Sequence, residues 1–293
     1  MESILKPYFV QATTLPDLWF QANRGLFEHG RKKLVDKGSY EGDYRLEYDW
    51  FVGHVLNPSF GSGTIEILPQ IPASYGMPDP VDLDYVYGGD AYPEPYLGYV
   101  FDDGCKPGES YTYGQRLRSF PVPSWLVWLY KFRRFLPSNV TDVLLMDDVF
   151  WKDSSIVKRE NNQGERGYFV DQVQLVIETY KKFGFGNNQM VLQVAIGSDS
   201  LLKDPPCLRQ IDTRIEGGKL HFFPYFRSWE LWTGLPSNLA AIQFLQAHMA
   251  EQIGVEPGEM IISSKGLHLY SYAVNMAQVR CMVEDLSLVK DQT

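Results

Sequence analysis

Runs of apolar residues alternate between helical and strand-like spacing, and the strand-like runs concentrate in the second half of the chain. Residues 15–35 carry Leu18, Phe20, Leu26, Phe27 and Leu34 with Pro16 near the start and a basic run at 31–33 near the end, which predicts one helix. Residues 46–56 are aromatic and β-branched and predict a strand. Residues 57–122 are rich in Pro, Gly, Tyr and Asp and predict irregular loops with short elements; so long a stretch is either functional or holds elements the pattern does not reveal. Residues 123–136 predict a helix packed by its apolar side, with a membrane-surface helix as the weaker alternative. Residues 140–151 fit a buried strand or a helix start equally, because periodicity does not separate them.

The second half is more regular. Residues 169–186 predict a helix with Val170, Val173, Val176 and Ile177 on one side and lysines and glycine at its end. Residues 189–196 read as a buried strand. Two alternating runs flank Glu216-Gly217-Gly218-Lys219, a hairpin signal. Residues 237–254 predict a helix with an Asn/Ser start and a Gly stop, and a further strand follows. The pattern predicts a mixed α+β fold in one domain, 1–293.

Composition narrows the class. Hydrophobic residues make up 44% and charged residues 22%, enough for a sizeable core. Aromatics reach 14%, which fits packing in sheets and at a dimer interface better than a base-stacking surface. A net charge of −9 argues against a DNA or RNA partner and leaves small phosphorylated ligands open, since one or two arginines suffice locally. The three cysteines, Cys105, Cys207 and Cys281, make neither a disulfide framework nor a zinc spacing, and the five histidines show no close pair, so no metal is expected. Without a secretory leader or an apolar run long enough to span a bilayer, the expected location is cytoplasmic, with no membrane partner.

Candidate chemistry centres on Cys207, which follows Asp204-Pro205-Pro206 and opens a strand. A lone cysteine is ordinarily a small buried hydrophobe. The hairpin, however, allows Arg227, twenty residues on (227 − 207), to return beside it, and a guanidinium favours the reactive thiolate. Gly234 to Asn238 lead into a helix whose start can donate N–H groups to a ligand. His268 and Tyr270 alternate on a late strand and share one face.

Pro206-Cys207, then Tyr225-x-Arg227-Ser228-x-Glu230-x-x-x-Gly234-x-Pro236-x-Asn238, then His268-Leu269-Tyr270-Ser271 together resemble thymidylate synthase in order and spacing. Tyr111-Thr112-Tyr113-Gly114-Gln115-Arg116 is similar to that family's Tyr-Gly segment, and the wording is closer to its compact archaeal-type members. The resemblance covers about 187–280 well, 105–120 in patches and the part before about 110 faintly. It implies a three-layer mixed sheet with flanking helices and a homodimer joined sheet to sheet. It implies that Cys207 adds to C6 of a pyrimidine, so that C5 can take a one-carbon unit from 5,10-methylenetetrahydrofolate or a related methylene-carrying pterin. By the same resemblance Arg227 and Ser228 bind the nucleotide phosphate, Asn238 the pyrimidine edge, and His268 and Tyr270 the sugar hydroxyl. Glu230 helps to place the cofactor and Tyr113 joins a proton-transfer network near C5. Asn238, where the cytosine hydroxymethylases of the superfamily carry Asp, favours uracil.

The chain departs from that pattern in three places. Two adjacent arginines of the family, 20 and 19 residues before the nucleophile, are replaced by Asn187 and Asn188; Arg45, Lys158, Arg159 and Arg166 are the candidates to compensate. About 23 residues follow Tyr270, fewer than in the common enzymes, which implies less cover over the folate and opens a route to water capture. The family's catalytic glutamate has no single counterpart among Glu94, Asp79, Asp82 and Asp84. The first expectation is conversion of dUMP to dTMP. The second is a dUMP, dCMP or CMP 5-hydroxymethylase on the same scaffold, and the third is a nucleotide-binding paralogue without turnover.

Overall fold

The computed structural model describes residues 4–38, 40–58, 85, 86, 88, 90, 96–106 and 108–283. The four acids weighed for the glutamate role lie outside these residues. Chain order gives β1 (Pro7–Ala12), α1 (Leu15–His29), β2 (Arg31–Leu34), β3 (Tyr44–Glu47), β4 (Trp50–Val55), α2 (Tyr96–Phe101), α3 (Tyr113–Arg118) and β5 (Phe120–Pro121). Then come α4 (Ser124–Phe132), α5 (Ser138–Leu144), α6 (Asp148–Lys152), β6 (Val157–Glu160), β7 (Arg166–Val170), α7 (Gln172–Phe183) and β8 (Val191–Gln193). The last part holds β9 (Leu208–Glu216), β10 (Lys219–Phe226), β11 (Trp229–Glu230), α8 (Gly234–Ile253), β12 (Glu256–Ser264), β13 (Leu267–Tyr270) and α9 (Ser271–Arg280).

Three mixed or antiparallel sheets with flanking helices make the fold α+β. The largest runs β1-β4-β12-β10-β9-β8, a second runs β11-β13-β3-β2, and a third runs β5-β7-β6. Helix α8 lies on the inner face of the large sheet, and its buried Gln246 donates to the Leu220 carbonyl of β10 at 2.8 Å. Helix α1 is tied in by Trp19, whose Nε1 donates to the carbonyls of Leu231 and Trp232 at 3.1 and 3.2 Å. Trp19, Phe222, Phe226, Leu239, Met249 and Met260 belong to the main core. A second cluster around Tyr130, Phe150 and Trp151 lies under α4 and α6, with the Tyr130 and Trp151 rings stacked at 4.4 Å.

The predicted hairpin is present: β9 and β10 pair antiparallel across Gly217 and Gly218, whose φ values of 59° and 75° make a two-residue turn that glycine alone adopts freely. The helix predicted over 15–35 ends earlier. Gly30 turns extended and donates to the Leu26 carbonyl, and Arg31 to Leu34 then pair as a strand with β3. The basic run is drawn there by acids, Lys33 by Glu47 and Arg31 by Asp49 at 2.9 Å. The strand predicted over 46–56 is two strands, β3 and β4, in different sheets. Over 123–136 the helix forms, but Trp125, Trp128 and Phe132 are exposed, so only part of its apolar side is packed. Residues 140–151 are helical in two short pieces, α5 and α6. No helix among the described residues is long and apolar enough to cross a membrane.

Candidate active site

Cys207 stands just before β9, half-buried against the main core. The hairpin pairs Leu208 with Phe226, and the next residue, Arg227, donates its N–H to the Cys207 carbonyl at 2.9 Å. The Arg227 guanidinium folds over the preceding turn. Its Nε donates to the Pro206 carbonyl at 3.1 Å and its Nη2 to the Pro205 carbonyl at 2.5 Å and to Asp204 at 3.2 Å. Arg209, which sequence reasoning passed over, donates to the same Pro206 carbonyl at 3.2 Å. Arg227 is therefore where the hairpin spacing predicted. Its electrostatic effect is outweighed: burial pushes the Cys207 thiol up, Arg227 pulls it down, Asp204 adds to the rise and Arg209 opposes it. Arg227 thus favours the thiolate, as the sequence reading expects, but by less than burial opposes it.

Tyr113 opens α3, where the Thr112 hydroxyl caps the helix by accepting from the Gln115 N–H at 2.9 Å. Gly114 is pressed against the Asp102 backbone, where an added Cβ would stand 2.0 Å from the carbonyl oxygen. This close approach sets α3 against the end of α2. The Tyr113 hydroxyl accepts from the Leu208 N–H at 3.3 Å, one residue from the cysteine. Helix α2 supplies two more phenols: Tyr99 meets Tyr113 edge-on at 5.1 Å and Tyr96 stacks on Tyr99 at 5.7 Å. Burial raises the phenols of Tyr96, Tyr99, Tyr111, Tyr113 and Tyr270, Tyr111 to about 12, and negative charge on Cys207 adds to the rise of each when that thiol ionises. All five are neutral donors and acceptors at neutral pH. Tyr111, Tyr113 and Tyr270 lie in the motifs read from the sequence, whereas Tyr96 and Tyr99 share only an i, i+3 spacing that any helix surface could carry.

Asn238, in the second turn of α8, is held on both sides. Trp229 Nε1 donates to its Oδ1 at 2.8 Å, and its Nδ2 donates to the Tyr96 hydroxyl. The Trp229 ring is itself stacked on Phe226 at 3.8 Å. Glu230 caps the same helix: Oε2 accepts from the N–H groups of Thr233 and Gly234 and from the Thr233 hydroxyl at 2.7–2.8 Å, and Oε1 from the Trp232 N–H at 2.7 Å. Ser228, between Arg227 and Trp229 in sequence, is half-buried.

His268 and Tyr270 share a face of β13, their rings 4.6 Å apart. The His268 Nδ1 lies 2.9 Å from the Gly266 carbonyl, so Nδ1 carries the proton and Nε2 is an acceptor; Nε2 is buried without a partner. Burial holds this imidazole down at about 4. Asn187 and Asn188 lie near the start of β8. Asn187 accepts from the Gln189 N–H, and Asn188 accepts from Arg214 at 3.4 Å. Of the four cations weighed against them, Arg45 pairs in register with Tyr270 and bonds Glu47 at 2.6 Å. Lys158, Arg159 and Arg166 belong to β6 and β7, where Lys158 meets Asp103 and Arg159 covers the Tyr168 ring. Among the described residues no group of three or more His, Cys, Asp or Glu side chains could hold a metal ion.

A family model described as thymidylate synthase matches residues 109–288, which include all of these site residues except Tyr96, Tyr99 and Arg45. The chain is 22% identical over 266 residues to a Methanopyrus kandleri protein named "Putative thymidylate synthase", covering 90% of this chain and 94% of that one. Proteins of the same printed name from Methanosarcina mazei and Methanosarcina acetivorans are 29% and 28% identical over 109 residues, 37% of this chain and 50% of theirs.

Proposed function

The chain belongs to the thymidylate synthase family, and from that premise we propose that it transfers a one-carbon unit to C5 of a pyrimidine deoxynucleotide, dUMP to dTMP, with Cys207 as the nucleophile. The observation that carries this reading is the convergence beside Cys207 of Arg227, whose N–H bonds the Cys207 carbonyl, and Tyr113, whose hydroxyl accepts from the next N–H, from two separate parts of the fold.

In this reading, bonding of the Cys207 sulfur to C6 saturates C5–C6 and shifts the electron pair toward C5 and O4. Asn238 has an unused N–H and an unused lone pair for O4 and N3–H, and so meets the charge that develops at O4. Tyr113 accepts from Leu208 and keeps its own proton to donate near C5. Arg227 and Ser228 hold the phosphate. The unpartnered His268 Nε2 accepts from the sugar hydroxyl, with Tyr270 beside it. Glu230 Oε1 accepts a single bond and keeps capacity for a pterin N–H, so the residues fit a methylene-carrying reduced folate or related pterin, which when bound would supply both the one-carbon unit and the hydride that reduces it to methyl. The working unit in this reading is a homodimer formed through the outer face of the large sheet, where Phe9, Trp50 and Ile261 are exposed.

The test is tritium release from 5-tritiated dUMP with methylenetetrahydrofolate, with the product weighed. Release with a methyl gain is the expected result, and Cys207→Ser is expected to lower it by at least about 10³-fold. A hydroxymethyl gain would replace the methyl reading. Full activity of the serine variant would remove Cys207 from the chemistry, and no release from any pyrimidine nucleotide would overturn the proposal.

A further inference from the structure

The two bonds on the Asn238 side chain are not equivalent. A tyrosine hydroxyl can donate or accept, so the Tyr96 contact would survive a half-turn of the amide. An indole N–H only donates, so the atom facing Trp229 must be the carbonyl oxygen. A half-turn would set an amide N–H against the indole N–H and leave a donor unpaired in a site where Trp229 is 2% exposed. The Trp229 ring has little freedom to move away, being stacked face to face on Phe226 at 3.8 Å with 5° between the planes.

The pyrimidine edges differ by the same half-turn. Uracil offers an acceptor at O4 and a donor at N3. Cytosine offers a donor at N4 and an acceptor at N3. A freely turning amide could match either edge. Resting on the reading of this site as a pyrimidine-nucleotide site, we infer that Trp229 sets the choice of uracil over cytosine by fixing which way Asn238 faces. Trp229 is a positioning residue that acts through Asn238, and Tyr96 supports the amide without choosing its direction.

The experiment compares wild type, Trp229→Phe and Tyr96→Phe in tritium release from 5-tritiated dUMP and dCMP with methylenetetrahydrofolate. Wild type is expected to prefer dUMP. In Trp229→Phe the ratio of kcat/KM for dUMP over dCMP falls by about tenfold or more, the size expected when one unpaired buried donor no longer opposes the turned amide. Tyr96→Phe lowers turnover with the ratio kept. Benzothienylalanine at 229, which replaces only the indole N–H by sulfur, repeats the measurement without disturbing the stack. A loss shared equally by both nucleotides at 229, or a ratio that collapses in Tyr96→Phe alone, overturns the inference. A wild type that releases tritium from neither nucleotide, or that prefers dCMP, instead overturns the reading of the site on which it rests.

Discussion

Burial keeps both Cys207 and His268 uncharged, the thiol by raising its pKa and the imidazole by lowering its own to about 4. For the cysteine, alkylation followed on its own peptide by mass spectrometry is expected to reach half-maximal rate above the ordinary thiol value of about 8.5. Arg227→Ala should move that midpoint higher, because Arg227 is the larger of the charges opposing the rise. A midpoint below the ordinary value would contradict the burial argument. For the histidine, the unfolded chain takes up a proton near 6.5 that the folded imidazole refuses until about 4. Its contribution to stability is thus present above about 6.5 and lost as pH falls toward 4, about 3 kcal/mol in all. Urea titrations at pH 7 and 4 should show that share of the pH dependence disappear in His268→Gln. Cys207, Arg227, Asn238 and His268 were legible because each sits in a spaced motif. Tyr96 and Trp229 were not, since a bond across 142 residues and a single indole N–H leave no pattern in a sequence.

Elements whose contacts are local were the ones legible in the chain. The hairpin announced itself through Gly217 and Gly218, and α8 through its glycine stop, Gly254, at φ 89°. Arg31 to Leu34 misled because a basic run suits a helix end by charge, while the partners that make it a strand, Glu47 and Asp49, come later in the sequence. Helix α3 depends on a contact of similar kind. Gly114→Ala would force a methyl into the Asp102 carbonyl, where only backbone can give way. The expected cost is about 1–3 kcal/mol in urea denaturation, with activity falling further than stability because Tyr113 is the neighbouring residue. An unchanged Tm and activity would mean that the α2–α3 approach is looser than the packing indicates.

Across the whole molecule, the sheet order was not legible, because β10 lies between β9 and β12 while β4 joins them from far upstream. Alternation on these strands turns Phe222 and Phe226 inward and leaves Tyr225 half-covered on the outer side, stacked with Trp50 at 5.7 Å. Light scattering should give about twice the monomer mass, and Ile261→Asp should bring it down to one. A wild-type monomer would rule out the sheet-to-sheet unit. The hairpin that brings Cys207 and Arg227 together also closes at Gly217 and Gly218, away from both. Residues added there in opposed pairs lengthen the ladder without turning either side chain, whereas a single extra residue has to be absorbed by a longer loop or a bulge. The stretch of chain between nucleophile and arginine can therefore lengthen at its far end by whole pairs, while an odd residue is taken up as β9 already takes one up, by the bulge where Tyr225 pairs with Gln210 but Phe226 with Leu208.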